Sequence, residues 1–373
     1  MSRPAVIFGG PSPEHDVSIL TGLPAARALA LAGHEVDAIY WSKTAEFFAV
    51  DPGVEFGDFA DGVPNGARQL RLVAAPGGGF VAGKGGLLGK EKPLDISGVV
   101  NCCHGGPGED GTLQAALDLA GVPYTGPTVA GAALGMDKLA FAGAIAIAGL
   151  PVLPRVLLDP QQSGPPPAWT GPYIVKPRFG GSSIGIEVVE DWVTAVNLAG
   201  TSVHLRRGAL VEPYRPSSYD LNVAVRTWPE VRLSAIERPL RSRDAAEILG
   251  YRDKYLGGEG LVSAARELPA RIPKELETAI RDAAAVIAAV AGARGIARID
   301  FLADGEDWFV NEINTIPGSL AKYLWVDPEP VPFVTLLTDM LAEASARPSF
   351  RPDATGADGA ALRSAGSIAS KLG

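Results

Sequence analysis

The chain has 373 residues, 47% hydrophobic and 20% charged, enough for two or three packed units of ordinary soluble composition. Its net charge is −9 with no run of Lys or Arg, which argues against nucleic acid or an anionic membrane as partner but leaves a phosphate ligand open. No signal-peptide pattern precedes the strand-like residues 5–8 and no apolar run is long enough to span a bilayer, so a cytoplasmic protein is expected.

Residues 1–127 alternate strand-like runs (5–8, 35–40, 96–101) with helical ones (17–32, 113–119), the pattern of a parallel α/β domain. Pro24 should kink the first helix or divide it, because proline lacks an N–H and crowds the preceding turn. Ser12 stands where it would cap that helix, and Glu14 where it would meet the helix dipole. Residues 43–93 are Gly-rich and read as a surface excursion with short strands. Cys102 and Cys103 end an apolar strand and read as reduced core residues, not as a disulfide or zinc site. From 128 to 211 a smaller α+β unit is predicted, with a helix over 136–148, a Pro-rich loop at 163–167, and strands at 173–176 and 185–189 around a glycine loop. A third unit, 212–345, holds strands at 220–226 and 231–237, an amphipathic helix over 275–291 and a hairpin. Residues 346–373 have few large apolar side chains and read as a mostly disordered tail.

In the hairpin, Arg298 and Asp300 lie two apart on one strand and Glu312 and Asn314 two apart on the next, so each pair shares a face while Ile313 points to the opposite layer. A loop of three or five residues would set Asp300 directly across from Glu312, and an even loop would not. Oxygen ligands with no His or Cys nearby suit Mg2+. A hairpin with solvated acids is the plain alternative.

The loop 176–185 (KPRFGGSSIG) joins two strands through glycines that let backbone N–H groups turn toward an anion, with Lys176 and the hydroxyls of Ser182 and Ser183 beside them. It also contains Gly-x-Ser-x-Gly centred on Ser183. A strand-like run follows where a hydrolase elbow needs a helix, and none of the four histidines has an obvious acid partner, so a serine hydrolase is disfavoured. Residues 83–90 make a poor P-loop, with Glu91 where Ser or Thr should stand, and the first strand ends without G-x-G-x-x-G, which disfavours a nicotinamide dehydrogenase.

Taken together, residues 104–114 (HGGPGEDGTLQ), Met136-Asp137-Lys138, the Lys176 loop, Arg298-Ile299-Asp300 and residues 311–318 (NEINTIPG) resemble the D-alanine–D-alanine ligase family, over nearly all of residues 4–340. The resemblance implies an α/β and α+β chain of ATP-grasp architecture: an N-terminal parallel α/β domain that helps bind substrate, and ATP held between two α+β units. It implies that Lys138, Lys176 and Lys254 contact ATP phosphates with Ser183 beside them, that Glu212 and Tyr214 border the adenine, and that Asp220 holds the ribose. Asp300, Glu312 and Asn314 would hold two Mg2+ ions, with Mn2+ as the alternative. Glu14, Ser182 and Tyr255 would form a hydrogen-bonded set beside the first amino acid's ammonium, with His104 near the reacting carboxylate. Arg298 and the Gly318 N–H would stabilise the oxyanion, and residues 241–267 would form a lid.

The implied reaction is ATP-dependent joining of two amino acids through an acyl phosphate, D-alanine to D-alanine for peptidoglycan, by a homodimer. The alternatives are a ligase of another dipeptide and, less favoured, an inactive nucleotide-binding module. One segment departs from the family. After Gly318 its members continue with Phe or Met, then Thr, and a few residues later a Ser that holds the second substrate's carboxylate. Here the chain reads Ser319-Leu320-Ala321-Lys322-Tyr323. Tyr323 takes the serine's place, and Ser319 or Lys322 are the candidate substitutes.

Overall fold

The computed structural model describes residues 3–82, 93–159, 165–240, 265–305, 307–327, 329–349 and 353–372. The glycine stretch 83–90 and the expected lid as far as residue 264, with Lys254 and Tyr255, lie outside the described residues.

The first sheet contains β1 (Arg3–Gly9), β2 (Asp37–Trp41), β3 (Phe47–Val50), β4 (Arg68–Val73), β5 (Gly79–Ala82) and β6 (Ile96–Asn101) in the order β5-β4-β3-β2-β1-β6. β1 runs parallel to β2 and β6, as the sequence predicts. The short strands expected within 43–93 are β3, β4 and β5, and they do not stand apart but extend the sheet as antiparallel strands. Residues 5–8 are apolar without alternation because both faces are covered. Val6 and Phe8 pack with the helix His15–Leu31, and Ala5 and Ile7 with Leu113 and Leu117. That first helix runs unbroken through Pro24. Burial of Leu23, Ala25, Ala26 and Leu29 in the same cluster outweighs one missing backbone bond. Cys102 and Cys103 are buried free thiols.

The second sheet, β7 (Val156–Leu158), β8 (Tyr173–Pro177), β9 (Glu187–Val189) and β10 (Ala209–Pro213), has the order β7-β10-β8-β9, with the helix Trp192–Thr201 against it. The helix expected over 136–148 begins at Lys138 instead. Asp137 caps it, its carboxylate accepting the N–H groups of Leu139 and Ala140 at 3.1 and 3.2 Å, and a separate helix, Val129–Met136, precedes it.

The third sheet has the order β13-β12-β11-β14-β15, from β11 (Tyr219–Arg226), β12 (Arg232–Pro239), β13 (Arg266–Glu267), β14 (Ile296–Asp304) and β15 (Asp307–Asn314). Its inner face, including Leu221, Val223, Ile299, Phe301, Val310 and Ile313, packs on the helix Lys274–Val290 and on Phe141 and Ile145. The β14–β15 register corrects the loop-parity expectation. Asp304 pairs with Asp307, so the connection is even, yet Asp300 does oppose Glu312. A β-bulge at Asn311 supplies the extra residue; without it Glu312 and Asn314 would face the apolar core.

The helix Phe333–Ala346, not foreseen in the sequence, returns to the N-terminal sheet, where Leu336, Leu337 and Met340 share a core with Val6, Leu29 and Val100. Beyond it, where composition predicts disorder, are the short helices Ala360–Ser364 and Ala369–Leu372, with Leu362, Ile368 and Leu372 exposed. Among the described residues no helix is long and apolar enough to cross a membrane.

Candidate active site

The outer face of the third sheet carries a polar row across four strands, Glu237 on β12, Asn222 on β11, Asp300 on β14 and Glu312 on β15, each opposite the next. Arg298 and Asn314 stand one step along, also opposite each other. Arg298 donates from Nε and a terminal nitrogen to the two oxygens of Asp300, both at 2.7 Å, and the Asn314 amide donates to Asp300 at 2.9 Å. Burial opposes the Arg298 charge, but Asp300 beside it holds the guanidinium well above its ordinary value. Asp220 lies two residues before Asn222 on β11, on the same face.

At the β15 edge the glycine loop and the helix that begins at Lys138 each bring in a lysine. Lys138 pairs with Glu312 at 2.7 Å and donates to the Gly180 carbonyl at 2.7 Å. Lys176, buried, pairs with Glu212 at 2.8 Å and donates to the Asn311 side chain at 3.3 Å. Burial lowers its pKa to about 8 against the pull of Glu212. Glu212 also pairs with Arg155, whose other nitrogens donate to the backbone carbonyls of Lys138 (2.7 Å) and Asn311 (2.8 Å). Arg155 thus holds the bulge and both lysines in one network. Sequence reasoning missed it, although a lone arginine in the apolar run 152–158 is the available signal of a buried cation. Arg178 clamps the loop to Asp137, at 2.8 and 2.5 Å.

On the far side of the loop, Ser182 donates to the Glu14 carboxylate, joining two residues 168 apart in sequence. Ser182 and Ser183 have φ of 53° and 58°, left-handed values that non-glycine residues adopt at a cost, as functional sites do. A Cβ on Gly105 would stand 2.5 Å from a Glu14 oxygen and one on Gly181 3.1 Å from both, so any larger residue at either position would push the carboxylate from its place. Ser12 is not the helix cap: the cap position is Glu14, and the Ser12 hydroxyl accepts the Glu14 N–H while donating to the His104 carbonyl.

His104 has both ring nitrogens engaged. The Ile316 carbonyl can only accept, so Nδ1 donates to it (2.7 Å) and Nε2 accepts from the Thr21 hydroxyl (2.8 Å). Thr21 in turn accepts the Ser319 N–H at 3.0 Å. The ring therefore spans from Ile316 to Ser319 and fixes Gly318 between them; burial lowers its pKa to about 4. Glu109 grips the same segment, accepting from the Ile316 N–H (3.1 Å), the Thr315 hydroxyl (3.2 Å) and the Gly105 N–H (2.9 Å). Ser319, Leu320 and Ala321 then all adopt left-handed φ near 50°. Of the residues after Gly318, Lys322 turns its ammonium to the Phe333 ring, 4.7 Å away, whereas Tyr323 lies beneath the Arg266 guanidinium at 4.6 Å. Tyr214 borders the β10 end, its N–H donating to the Pro172 carbonyl.

Residues 3–127 match the family model described as D-ala D-ala ligase N-terminus, and residues 165–325 that of the D-ala D-ala ligase C-terminus. The chain belongs to the D-alanine–D-alanine ligase family. It is 34% identical to a D-alanine–D-alanine ligase of Methylobacterium sp. (strain 4-46), over 98% of this chain and 96% of that one, and 31% identical to one of Nocardia farcinica, over 92% and 97%. The D-alanine–D-alanine ligase of Helicobacter pylori has the same fold, with a TM-score of 0.71 at 24% identity, covering 94% of this chain and 100% of that one. The first sheet thus belongs to the family's N-terminal α/β part, and the second and third sheets to its ATP-grasp architecture.

Among the described residues no group of three or more His, Cys, Asp or Glu side chains is arranged to hold a metal. Asp300, Glu312 and Asn314 are two carboxylates and an amide on one face, an all-oxygen set whose chemistry fits a hard divalent cation.

Proposed function

We propose that this chain is an ATP-dependent ligase that joins D-alanine to D-alanine through an acyl phosphate. The observation that carries the reading is the convergence of Lys138 and Lys176, at the glycine loop, on the Asp300–Glu312–Arg298 face. Lys138 and Lys176 hold the ATP phosphates, and Asp220 the ribose. Asp300, Glu312 and Asn314 would hold Mg2+, which supplies neutralisation of the phosphoryl charge. Glu14, held by Ser182, receives the donor's ammonium, and a donor carboxylate oxygen attacks the γ-phosphorus as ADP leaves. The acceptor's amine then adds its lone pair to the acyl carbon, loses a proton, and phosphate departs. Arg298 and the Gly318 N–H stabilise the oxyanion formed in between. His104 and Glu109 act through backbone, keeping the Gly318 segment in place.

The test is the product mass formed from ATP, Mg2+ and D-alanine: D-alanyl-D-alanine with ADP and phosphate is expected, and no phosphate release removes the reading. A ligase of a different dipeptide is the second reading, favoured by Tyr323 at the acceptor segment. An amino-acid panel that releases phosphate with another pair and not with D-alanine would establish it.

A further inference from the structure

The polar face has two ends. Lys138 and Lys176 meet it at β15, while at the opposite end, beyond Asn222, Glu237 on β12 pairs with Arg266 on β13 at 2.9 Å and accepts from the Asn222 amide at 3.2 Å. Side-chain exposure is 12% for Arg266 and 4% for Glu237, so this is a built charge pair rather than a surface contact. The Arg266 guanidinium lies over the Tyr323 ring, its central carbon 4.6 Å from the centroid, and Tyr323 also feels the charges of Arg298, Glu237 and Asp300. Arg238, next to Glu237 on β12, instead lies over Tyr219, which packs on the inner core.

In the ligase reading, on which this inference rests, phosphate leaves toward β15, so the acceptor must approach from the β12 side. Its carboxylate then enters a partly desolvated region and needs a cation. Arg298 spends two of its nitrogens on Asp300. Glu237 stands two strand spacings from Asp300, roughly 10 Å between backbones, and Tyr323 lies close to both Arg266 and Arg298, so the two guanidinium groups flank one region. We propose that Arg266, stacked on Tyr323 and oriented by Glu237, receives the carboxylate of the acceptor amino acid. Tyr323 serves by its ring face, which supports the guanidinium, and Glu237 offsets the buried charge when the subsite is empty.

The test is a competition in one tube: ATP, Mg2+, D-alanine, and equimolar D-alaninamide, which cannot be phosphorylated but can accept. The mass ratio of D-alanyl-D-alanine to its amide reports carboxylate recognition. The wild type should favour the free acid at least tenfold. Arg266→Gln combined with Glu237→Gln, which leaves no buried unpaired charge, should bring the ratio to near one. Arg266→Lys should lower it only severalfold, Tyr323→Phe should keep it, and Tyr323→Ser should lower it. An unchanged ratio in both the double variant and Arg266→Lys, with phosphate still released, overturns the Arg266 assignment alone; no phosphate release by the wild type overturns the ligase reading and this assignment together.

Discussion

The two faces of the third sheet are built from alternate residues of the same strands, yet they follow opposite rules. On the inner face Leu221, Val223, Ile299, Phe301 and Ile313 pack without polar atoms, and their contribution scales with apolar area removed from water. On the outer face Asn222, Glu237, Arg298, Asp300 and Glu312 are held as mutually compensating charges and amides. Such pairs contribute little net stability, because desolvation offsets their attraction, but in the proposed reaction they give a field already oriented for the phosphate and acyl group. Stability and chemistry are therefore separable at adjacent positions.

The sharpest break in that contrast is Arg298→Met. It should slow turnover by roughly a hundredfold or more, the effect of losing one oxyanion donor, while unfolding stays cooperative; near-normal turnover in steady-state kinetics would remove Arg298 from the role. Its neighbour tests the other face. Ile299→Ala should cost roughly 3 kcal/mol in urea unfolding through the cavity it leaves, with kcat per folded molecule nearly unchanged.

A smaller effect concerns pH. Lys176 sits at about 8, so kcat/KM for ATP should decline as pH rises past that value and the ammonium is lost. Glu212 raises this pKa, so Glu212→Gln should move the alkaline limb down by roughly one pH unit; an unmoved limb assigns it to another group.

The last expected change is in acid stability. Burial takes His104 from 6.5 to about 4, so the unfolded chain binds the extra proton first. Its contribution is whole above pH 6.5 and is lost as pH falls toward 4. Thermal melts of His104→Gln should show a shallower decline across that window, and a parallel decline would exclude His104 as its source.

Much of this was legible in advance. The pairs Arg298/Asp300 and Glu312/Asn314 announce one face because a strand has a period of two, and the glycines announce a loop between β8 and β9 because glycine takes left-handed backbone at little cost. The bulge at Asn311 was not legible, since parity arguments assume an uninterrupted ladder. Nor was the structural bond pattern of His104, which depends on Thr21 and Ile316, 83 and 212 residues away. Arg155, Glu237 and Arg266 drew no attention as single charges, because what marks them is burial together.

By itself the sequence determined the family, the strand-and-loop order of the ATP-grasp units and which side chains carry oxygen or positive charge, because periodicity, glycine placement and motif spacing are local properties of the chain. Only the tertiary structure decided that Pro24 lies within an unbroken helix, that β3, β4 and β5 join the first sheet, and that Tyr323 lies under Arg266. Each of those outcomes rests on burial against distant partners, whose free energy exceeds the local preferences a sequence displays.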